Sequence, residues 1–313
     1  MKKYNKYFRN KTILITGGGG FIGKNLQKYF IDNEINYISV NSNDYDLTSQ
    51  IDVGKLFSDY TFDIIVHLAG FAGGIEFIKK NMAQVYFKNL MLNTLLLKHA
   101  VESNTSTIIA LNSVNAYPSG LNAPFRENSI YDGLPEKNIS SYGMAKRMML
   151  FQSQLYSDLD YVKIINLIAD NIYGPHDIFE YSRARVIPAN ISKFIEAKIN
   201  NKKVSVWGTG KARRDFIYVD DIIAAIIFSI VNIGESTCLN IGTGTNITIK
   251  SLVEKIAYYT QYSHKICWDQ SKPEGELIRY LNVEKMIDYG FHTQNSIDDG
   301  LTKTIEWYQN YIK

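Results

Sequence analysis

A β-branched run, Lys11-Thr-Ile-Leu-Ile-Thr16, leads directly into Gly17-Gly-Gly-Gly-Phe-Ile-Gly23 and then into Ile22, Leu26 and Phe30 at helical spacing. Strand, glycine turn and helix in that order restrict the chain to few folds. Glycines at such a junction let the backbone turn sharply and approach a pyrophosphate, while free N–H groups at the helix start face the anion. Gly17, Gly20 and Gly23, with Phe21 and Ile22 between them, are the expected cofactor contacts. Four consecutive glycines fit both G-x-x-G-x-x-G and G-x-G-x-x-G, so spacing alone leaves the register open. A second strand, over 35–40, follows at the distance a dinucleotide-binding unit requires. Its end reads the adenosine ribose, where an acidic side chain favours NAD and a basic one accommodates NADP. Asn41 and Ser42 are neutral donors there, which favours NADPH with NADH as the alternative; Asp44 and Asp46 come later. Asp46-Leu47 reads as an adenine contact or as a cap on a helix over 48–57.

The third strand, over 63–69, is nearly all apolar, as a strand covered on both faces should be, so the sheet is parallel. His67 within it is read as structural. Leu68, Ala69 and Gly70 at its carboxyl end, and the loop Gly73-Gly74-Ile75, lie where open α/β sheets bind ligands. A long helix over 81–102 carries Leu90, Asn93, Leu97 and Val101 along one face, suited to core or dimer packing. A fourth strand, over 107–111, ends in Asn112-Ser113-Val114-Asn115, and Tyr142-Gly-Met-Ala-Lys146 opens a helix whose apolar stripe includes Met148, Phe151 and Leu155. Tyr142 and Lys146 are four apart and share a helical face. A phenol ordinarily titrates at about 10, and a cation beside it favours phenolate. Lys146 is the expected cation. Ser113 is expected to hold a carbonyl beside Tyr142, so that hydride reaches carbon as a proton reaches oxygen. The pattern predicts carbonyl reduction.

The 313 residues are about two average domains long, with 45% apolar and 13% aromatic residues to fill their cores. A net charge of +3 argues against a nucleic-acid binder. Cys238 and Cys267 form neither a disulfide framework nor a metal-ligand pattern, and each is expected to be packed; no metal is expected. The polar start lacks the apolar stretch of a secretory signal, and the longest apolar run, 222–231, is half a membrane span, so the expected location is the cytoplasm, away from membranes. Asp220 and Asp221 before that run are read as helix caps, and Met144, Met148 and Met149 as core or dimer seam. The expected fold is α/β: a Rossmann-type doubly wound parallel sheet over 1–171 with a return segment over 216–246. A smaller, interleaved C-terminal lobe for substrate takes 172–215 and 247–313.

More specific motifs run through nearly the whole chain: His67-Leu-Ala with Gly73-Gly-Ile75, Ala116-Tyr-Pro118, Ser141-Tyr-Gly-Met-Ala-Lys146 and Asn171-Ile-Tyr-Gly-Pro175. Val186-Ile-Pro188, Val206-Trp-Gly208, Arg214-Asp-Phe-Ile-Tyr-Val-Asp-Asp221 and Ser271-Lys-Pro-Glu-Gly275 continue the series. With these the chain resembles the extended short-chain dehydrogenase/reductase family and, within it, the GDP-L-fucose synthases. The resemblance implies a GDP-linked 4-keto sugar as substrate and a homodimer through the helices containing Asn93 and Tyr142. It also implies Trp207 near guanine, Arg214 on the diphosphate, Lys193 facing the nucleotide, and Gly74 and Asn171 near the substrate.

Two departures qualify it. Fucose synthases carry a cysteine two residues after the serine and a histidine before Val-Ile-Pro, a pair that exchanges protons beside the keto group. Here those positions hold Asn115 and Arg185, which exchange no proton near pH 7. The 4,6-dehydratases of the superfamily carry Asp-Glu after the strand-end residue, where this chain has Val114-Asn115. The expectation is therefore a C4 reductase of a GDP-linked 4-keto 6-deoxyhexose or heptose, without C3/C5 epimerisation. Arg185 is expected to bind a phosphate or sugar hydroxyl, or else to form a surface ion pair, and Asn115 to bond the sugar. The alternatives are a bifunctional epimerase/reductase, an NAD-retaining C4 epimerase, and a non-enzymatic nucleotide sensor.

Overall fold

Strand-length apolar runs alternate with amphipathic helical stretches over the first half of the chain, and the fold follows that alternation. The computed structural model describes residues 4–159, 162–181, 183–271 and 275–312. Its helices are α1 (Asn5–Phe8), α2 (Phe21–Asp32), α3 (Gln50–Asp59), α4 (Ile75–Lys80), α5 (Met82–Glu102), α6 (Ser140–Asp158), α7 (Val186–Ile199), α8 (Val219–Asn232), α9 (Ile249–Tyr259), α10 (Glu284–Asp288) and α11 (Ile297–Tyr311). Its strands are β1 (Ile13–Thr16), β2 (Ile38–Val40), β3 (Ile64–His67), β4 (Thr107–Ser113), β5 (Lys163–Ala169), β6 (Asn171–Tyr173), β7 (Val204–Trp207), β8 (Arg213–Arg214), β9 (Phe216–Tyr218), β10 (Thr237–Ile241), β11 (Ile247–Thr248), β12 (Ile266–Asp269) and β13 (Ile278–Arg279).

Six strands form one sheet in the order β10-β5-β4-β3-β1-β2. Every neighbouring pair is parallel. Alternating residues divide its two faces between two cores, which is why the strands read as unbroken apolar runs. Ile13, Ile15, Ile64 and Val66 pack with Leu26 and Phe30 of α2 and with Ile222 and Ile226 of α8. Leu14, Ile65 and Ile108 pack with Val53 and Leu56 of α3, Leu92 and Leu96 of α5 and Met149 of α6. From β1 the chain moves outward to β2, then returns to β3 on the other side of β1. That reversal opens a ligand crevice at the carboxyl ends of β1 and β3. Beyond β5 the chain builds small sheets, β6 with β9, β7 with β12, and β8 between β11 and β13. β9 and α8 bring it back, so that β10 joins the main sheet against β5.

Several local expectations change. The second strand shortens to Ile38–Val40, and α3 starts at Gln50, with the Ser49 side chain accepting from Asp52 N. Asp46 is therefore not the cap. β4 continues through Ser113, opposite Ala169, because the chain remains paired with β5. Asp220 and Asp221 lie inside the first turn of α8, whose cap is Tyr218. The buried Asp221 carboxylate instead accepts from Gln294 N at 2.8 Å and Asn295 N at 3.2 Å, tying α8 to the segment before α11. Phe151 and Leu155 are exposed on α6, whereas Met149 is core. Both cysteines are free, and Cys267 is exposed. Three residues of Ser271-Lys-Pro-Glu-Gly275 lie outside the described residues. Among the described residues no helix is long and apolar enough to cross a membrane, and no cluster suits a metal ion.

One contact sets the position of α6. A side chain at Gly143 would run into the carbonyl oxygen of Asn115 and stand 2.8 Å from Pro135 Cβ. Only glycine lets the helix carrying Tyr142 lie this close to the turn after β4. Gly143→Ala forces the two apart and is expected to destabilise the fold by about 1–3 kcal/mol, as overpacking does. Urea unfolding measures this; an unchanged midpoint would contradict the contact.

Candidate active site

The glycine turn lies at the crevice. Gly17 has φ +70°, and a Cβ there would stand 2.8 Å from Ala69 Cα, so the turn presses on the exit of β3. Leu68 and Ala69 thus border Gly17, and Gly70 follows them beside Asn89. Gly20 precedes α2 without a side-chain cap, and Gly23 packs against the Gly17 carbonyl. The positive φ and backbone contact at Gly17 favour the G-x-x-G-x-x-G register, although Gly18 also lies close to Ser39. The amides of Phe21, Ile22 and Gly23 open α2 toward the crevice, an arrangement suited to a pyrophosphate. Asn41 and Ser42 are exposed at the end of β2. Asp44 folds back so that Oδ2 accepts from Asn41 N at 3.0 Å, placing a carboxylate beside Asn41. Asp46 accepts from the backbone and hydroxyl of Thr48, bonds that lower its carboxyl. Leu47 is buried in the core.

His67 is structural, as its place in a buried strand suggests. Nε2 lies 2.9 Å from Asn93 Oδ1 and Nδ1 lies 2.8 Å from Thr16 Oγ1. An amide oxygen only accepts, so Nε2 carries the proton and Nδ1 accepts from the threonine hydroxyl. Burial pulls the imidazole down to about 4, leaving it neutral.

Ser113 lies at the end of β4, and Tyr142 and Lys146 lie in the first turns of α6. Ser113 ends the strand, and its hydroxyl accepts from Asn115 N at 3.3 Å. Tyr142 packs against the cluster of Ile78, Val85 and Ile139. Lys146 is buried one turn later, with Nζ donating to Leu111 O at 2.9 Å and standing 5.9 Å from the centre of the Tyr142 ring. The expected lowering of the phenol by Lys146 is corrected. Burial pushes Tyr142 up to about 12, and the cation that opposes this is Arg185. Burial also draws Lys146 down to about 8. The Lys146 ammonium faces a carbonyl, and desolvation prevails over attraction for both groups. At neutral pH the site holds a protonated phenol, the form that donates to an oxygen gaining charge.

Around this trio the substrate-side residues sort unevenly. Gly74 caps α4. Arg185, at the start of α7, pairs through Nη2 with Asp177 Oδ1 at 3.0 Å and lies 5.5 Å from the Phe21 ring centre. Its partner is a buried carboxylate rather than a surface one. Asn171 turns inward: Nδ2 donates to Asp170 Oδ1 at 2.7 Å and Asp215 O at 2.8 Å. Both its donors are engaged, so it holds the fold together at the expected substrate position. Trp207 is exposed, with Lys193 Nζ 5.7 Å from its ring centre. Arg214 Nη1 donates to Arg213 O at 2.7 Å. Three charged residues escape sequence reasoning: Asp170, Asp177 and Arg279. Arg279 reaches both Asn115 and Asp170. Its signal is a lone cation between Ile278 and Tyr280 in a strand-like run, and that of Asp170 a carboxylate directly after an apolar strand.

Tyr142→Phe is expected to reduce carbonyl-reduction rate by roughly 10²–10⁴, the usual contribution of a positioned acid. In the intact protein Lys146 loses its charge as pH rises through about 8, so the rate should fall there. Lys146→Arg, whose charge persists past about pH 12, should remove that fall; a fall retained in the variant would contradict the assignment.

Comparison with known proteins places this geometry in a family. The NAD dependent epimerase/dehydratase family model matches residues 13–242. The probable GDP-L-fucose synthase 1 of Oryza sativa is 29% identical over 299 residues, covering 95% of this chain and 91% of its own. The GDP-L-colitose synthase of Yersinia pseudotuberculosis is 27% identical, covering 95% and 98%. Among solved structures, the GDP-mannoheptose C4 reductase MlghC of Campylobacter jejuni, with NADP bound, aligns at TM-score 0.86 and 25% identity over 96% of this chain and 98% of its own. A GDP-6-OMe-4-keto-L-xylo-heptose reductase from C. jejuni aligns at TM-score 0.90 and 24% identity over 96% and 98%, a likeness of fold. The resemblance to extended short-chain dehydrogenase/reductases is thereby borne out, and the chain, with more than two thirds of its length under the family model, belongs to the NAD dependent epimerase/dehydratase family.

Proposed function

We propose that this protein is an oxidoreductase that reduces the C4 ketone of a GDP-linked 4-keto sugar with NADPH, and that it does not epimerise the neighbouring carbons. The observation that carries this reading is the pairing of a complete trio, Ser113, Tyr142 and Lys146, with the inert side chains Asn115 and Arg185. When bound, the nicotinamide supplies hydride; the residues present fit such a cofactor, because the glycine turn that leads into the uncapped start of α2 lies against Leu68 and Ala69 at the end of β3. The NADP in the MlghC structure supports the phosphorylated form. Asp44 beside Asn41 is the charge that form must tolerate.

In this reading the Ser113 hydroxyl orients the ketone, and the Tyr142 phenol gives its proton to the C4 oxygen. Lys146 and Arg185 stabilise the phenolate left behind. Asn115 has no exchangeable proton of useful acidity, and the Arg185 guanidinium remains charged, so neither removes a proton from C3 or C5. Lys193 beside Trp207 supports a nucleotide base and diphosphate near α7 and β7, and Arg214 is assigned to the diphosphate. The GDP-sugar enzymes among the relatives support guanine. We assign the dinucleotide to 1–171 with 216–246, and the sugar nucleotide to 172–215 with 247–313. A homodimer through α5 and α6 is supported by Tyr86, Phe87, Phe151 and Leu155, which stand exposed on those helices. Two free cysteines fit a reducing cytoplasm.

The purified protein with NADPH and a GDP-linked 4-keto-6-deoxyhexose or heptose in heavy water tests the reading. One NADPH should be consumed per sugar reduced, with no solvent deuterium at C3 or C5. Deuterium at either carbon would mean that epimerisation is present, and turnover without net NADPH consumption would favour a C4 epimerase.

A further inference from the structure

A chain of polar groups runs from the end of β5 to the turn after Ser113. Asn171 Nδ2 donates to Asp170 Oδ1 at 2.7 Å, Arg279 Nη2 lies 3.8 Å from that oxygen, and Arg279 Nη1 donates to Asn115 Oδ1 at 3.4 Å. The Asp170 side chain is 1% exposed. Its Oδ2 and the Nε of Arg279 are buried without a hydrogen-bond partner in the structure. A buried carboxyl and a guanidinium only 22% exposed, each with bonding capacity unused, interact through charge, and removing either leaves the other without its partner.

The consequence falls on Asn115. An amide accepts on one side and donates on the other, whereas a guanidinium only donates. With Oδ1 on Arg279, the amide cannot flip without setting its own N–H groups against those of the arginine. Its free capacity is two donors. Asn115 N also bonds the Ser113 hydroxyl, which keeps this side chain within the turn that meets the ketone.

We propose that Asn115 reads the sugar as a donor: its NH₂ group binds an oxygen on the carbon beside the ketone, and Asp170, acting through Arg279, is the positioning residue that fixes this polarity. The inference rests on the reductase reading and adds a selection: 4-keto sugars keeping an oxygen at C3 are preferred over their 3-deoxy counterparts.

Asn115→Asp tests it. The variant keeps the shape and the contact with Arg279 but offers only acceptors. Calorimetric titration compares three probes: a GDP-linked 4-keto-6-deoxyhexose with its 3-hydroxyl, the 3-deoxy counterpart, and GDP. The variant is expected to bind the 3-hydroxy sugar about tenfold or more weakly than the wild type, the order of one hydrogen bond. It should bind the 3-deoxy sugar and GDP as the wild type does. Asp170→Asn should raise KM for the 3-hydroxy sugar with little change in kcat, and leave GDP binding intact. Equal or tighter binding of the 3-hydroxy sugar by Asn115→Asp overturns the inference while wild-type turnover preserves the reductase reading. A wild type that binds GDP but neither binds nor reduces the keto sugar overturns both.

Discussion

The close approach of α6 to the turn after β4 is the constraint on which the site depends. Tyr142 and Ser113 are far apart in sequence, and what joins them is Gly143 lying against the Asn115 carbonyl. Two devices fix that approach. Arg147, on the same helix, donates through Nε and Nη2 to Ala116 O at 3.0 and 2.7 Å, fastening α6 to the turn. Pairing of Ser113 with Ala169 holds the other partner in the sheet. Tyr142 and Ser113 are therefore set by close backbone packing and by a buried arginine clamp, the kind of fixed geometry that proton transfer in the proposed reaction requires.

Burial governs the electrostatics of that site. It drives Tyr142 up to about 12 and Lys146 down to about 8, and thereby keeps the phenol protonated over the physiological range. A reductase needs that state, because its phenol must give a proton away. The surrounding arginines are anchored by buried carboxylates, Arg185 by Asp177 and Arg279 by Asp170. Such pairs are weak evidence of stability, yet each directs a permanent charge to a chosen place. One of these arginines, Arg185, stands at a position where fucose synthases carry one member of the proton-exchanging pair, and the other, Arg279, bonds Asn115 at the second.

The sheet, the glycine turn and the Tyr142–Lys146 pair were legible in the sequence because each is local. Unbroken apolar runs along β1 and β3, spacing along α2, and a four-residue interval between Tyr142 and Lys146 need no knowledge of distant contacts. Register within the four glycines was not legible, since it depends on Gly17 meeting Ala69 across 52 positions. Asn171 was assigned to substrate from its motif, yet its donors are taken by Asp170 and Asp215, a fact that only tertiary structure contains. Asp220 and Asp221 read as caps because they precede an apolar run, but α8 begins earlier, and Asp221 serves the distant segment before α11. Arg279 reaches Asn115 from 164 positions away. No spacing rule signals such a contact.

The account's central claim is that hydride reaches the C4 carbon of the sugar while Tyr142 protonates its oxygen. NADPH carrying deuterium at the transferable position of its nicotinamide tests this most directly, with the product sugar read by mass spectrometry and NMR. The account predicts one deuterium per product, bound to C4 and to no other carbon. Product formed with the label still on the dinucleotide, or with deuterium at another carbon, would contradict it.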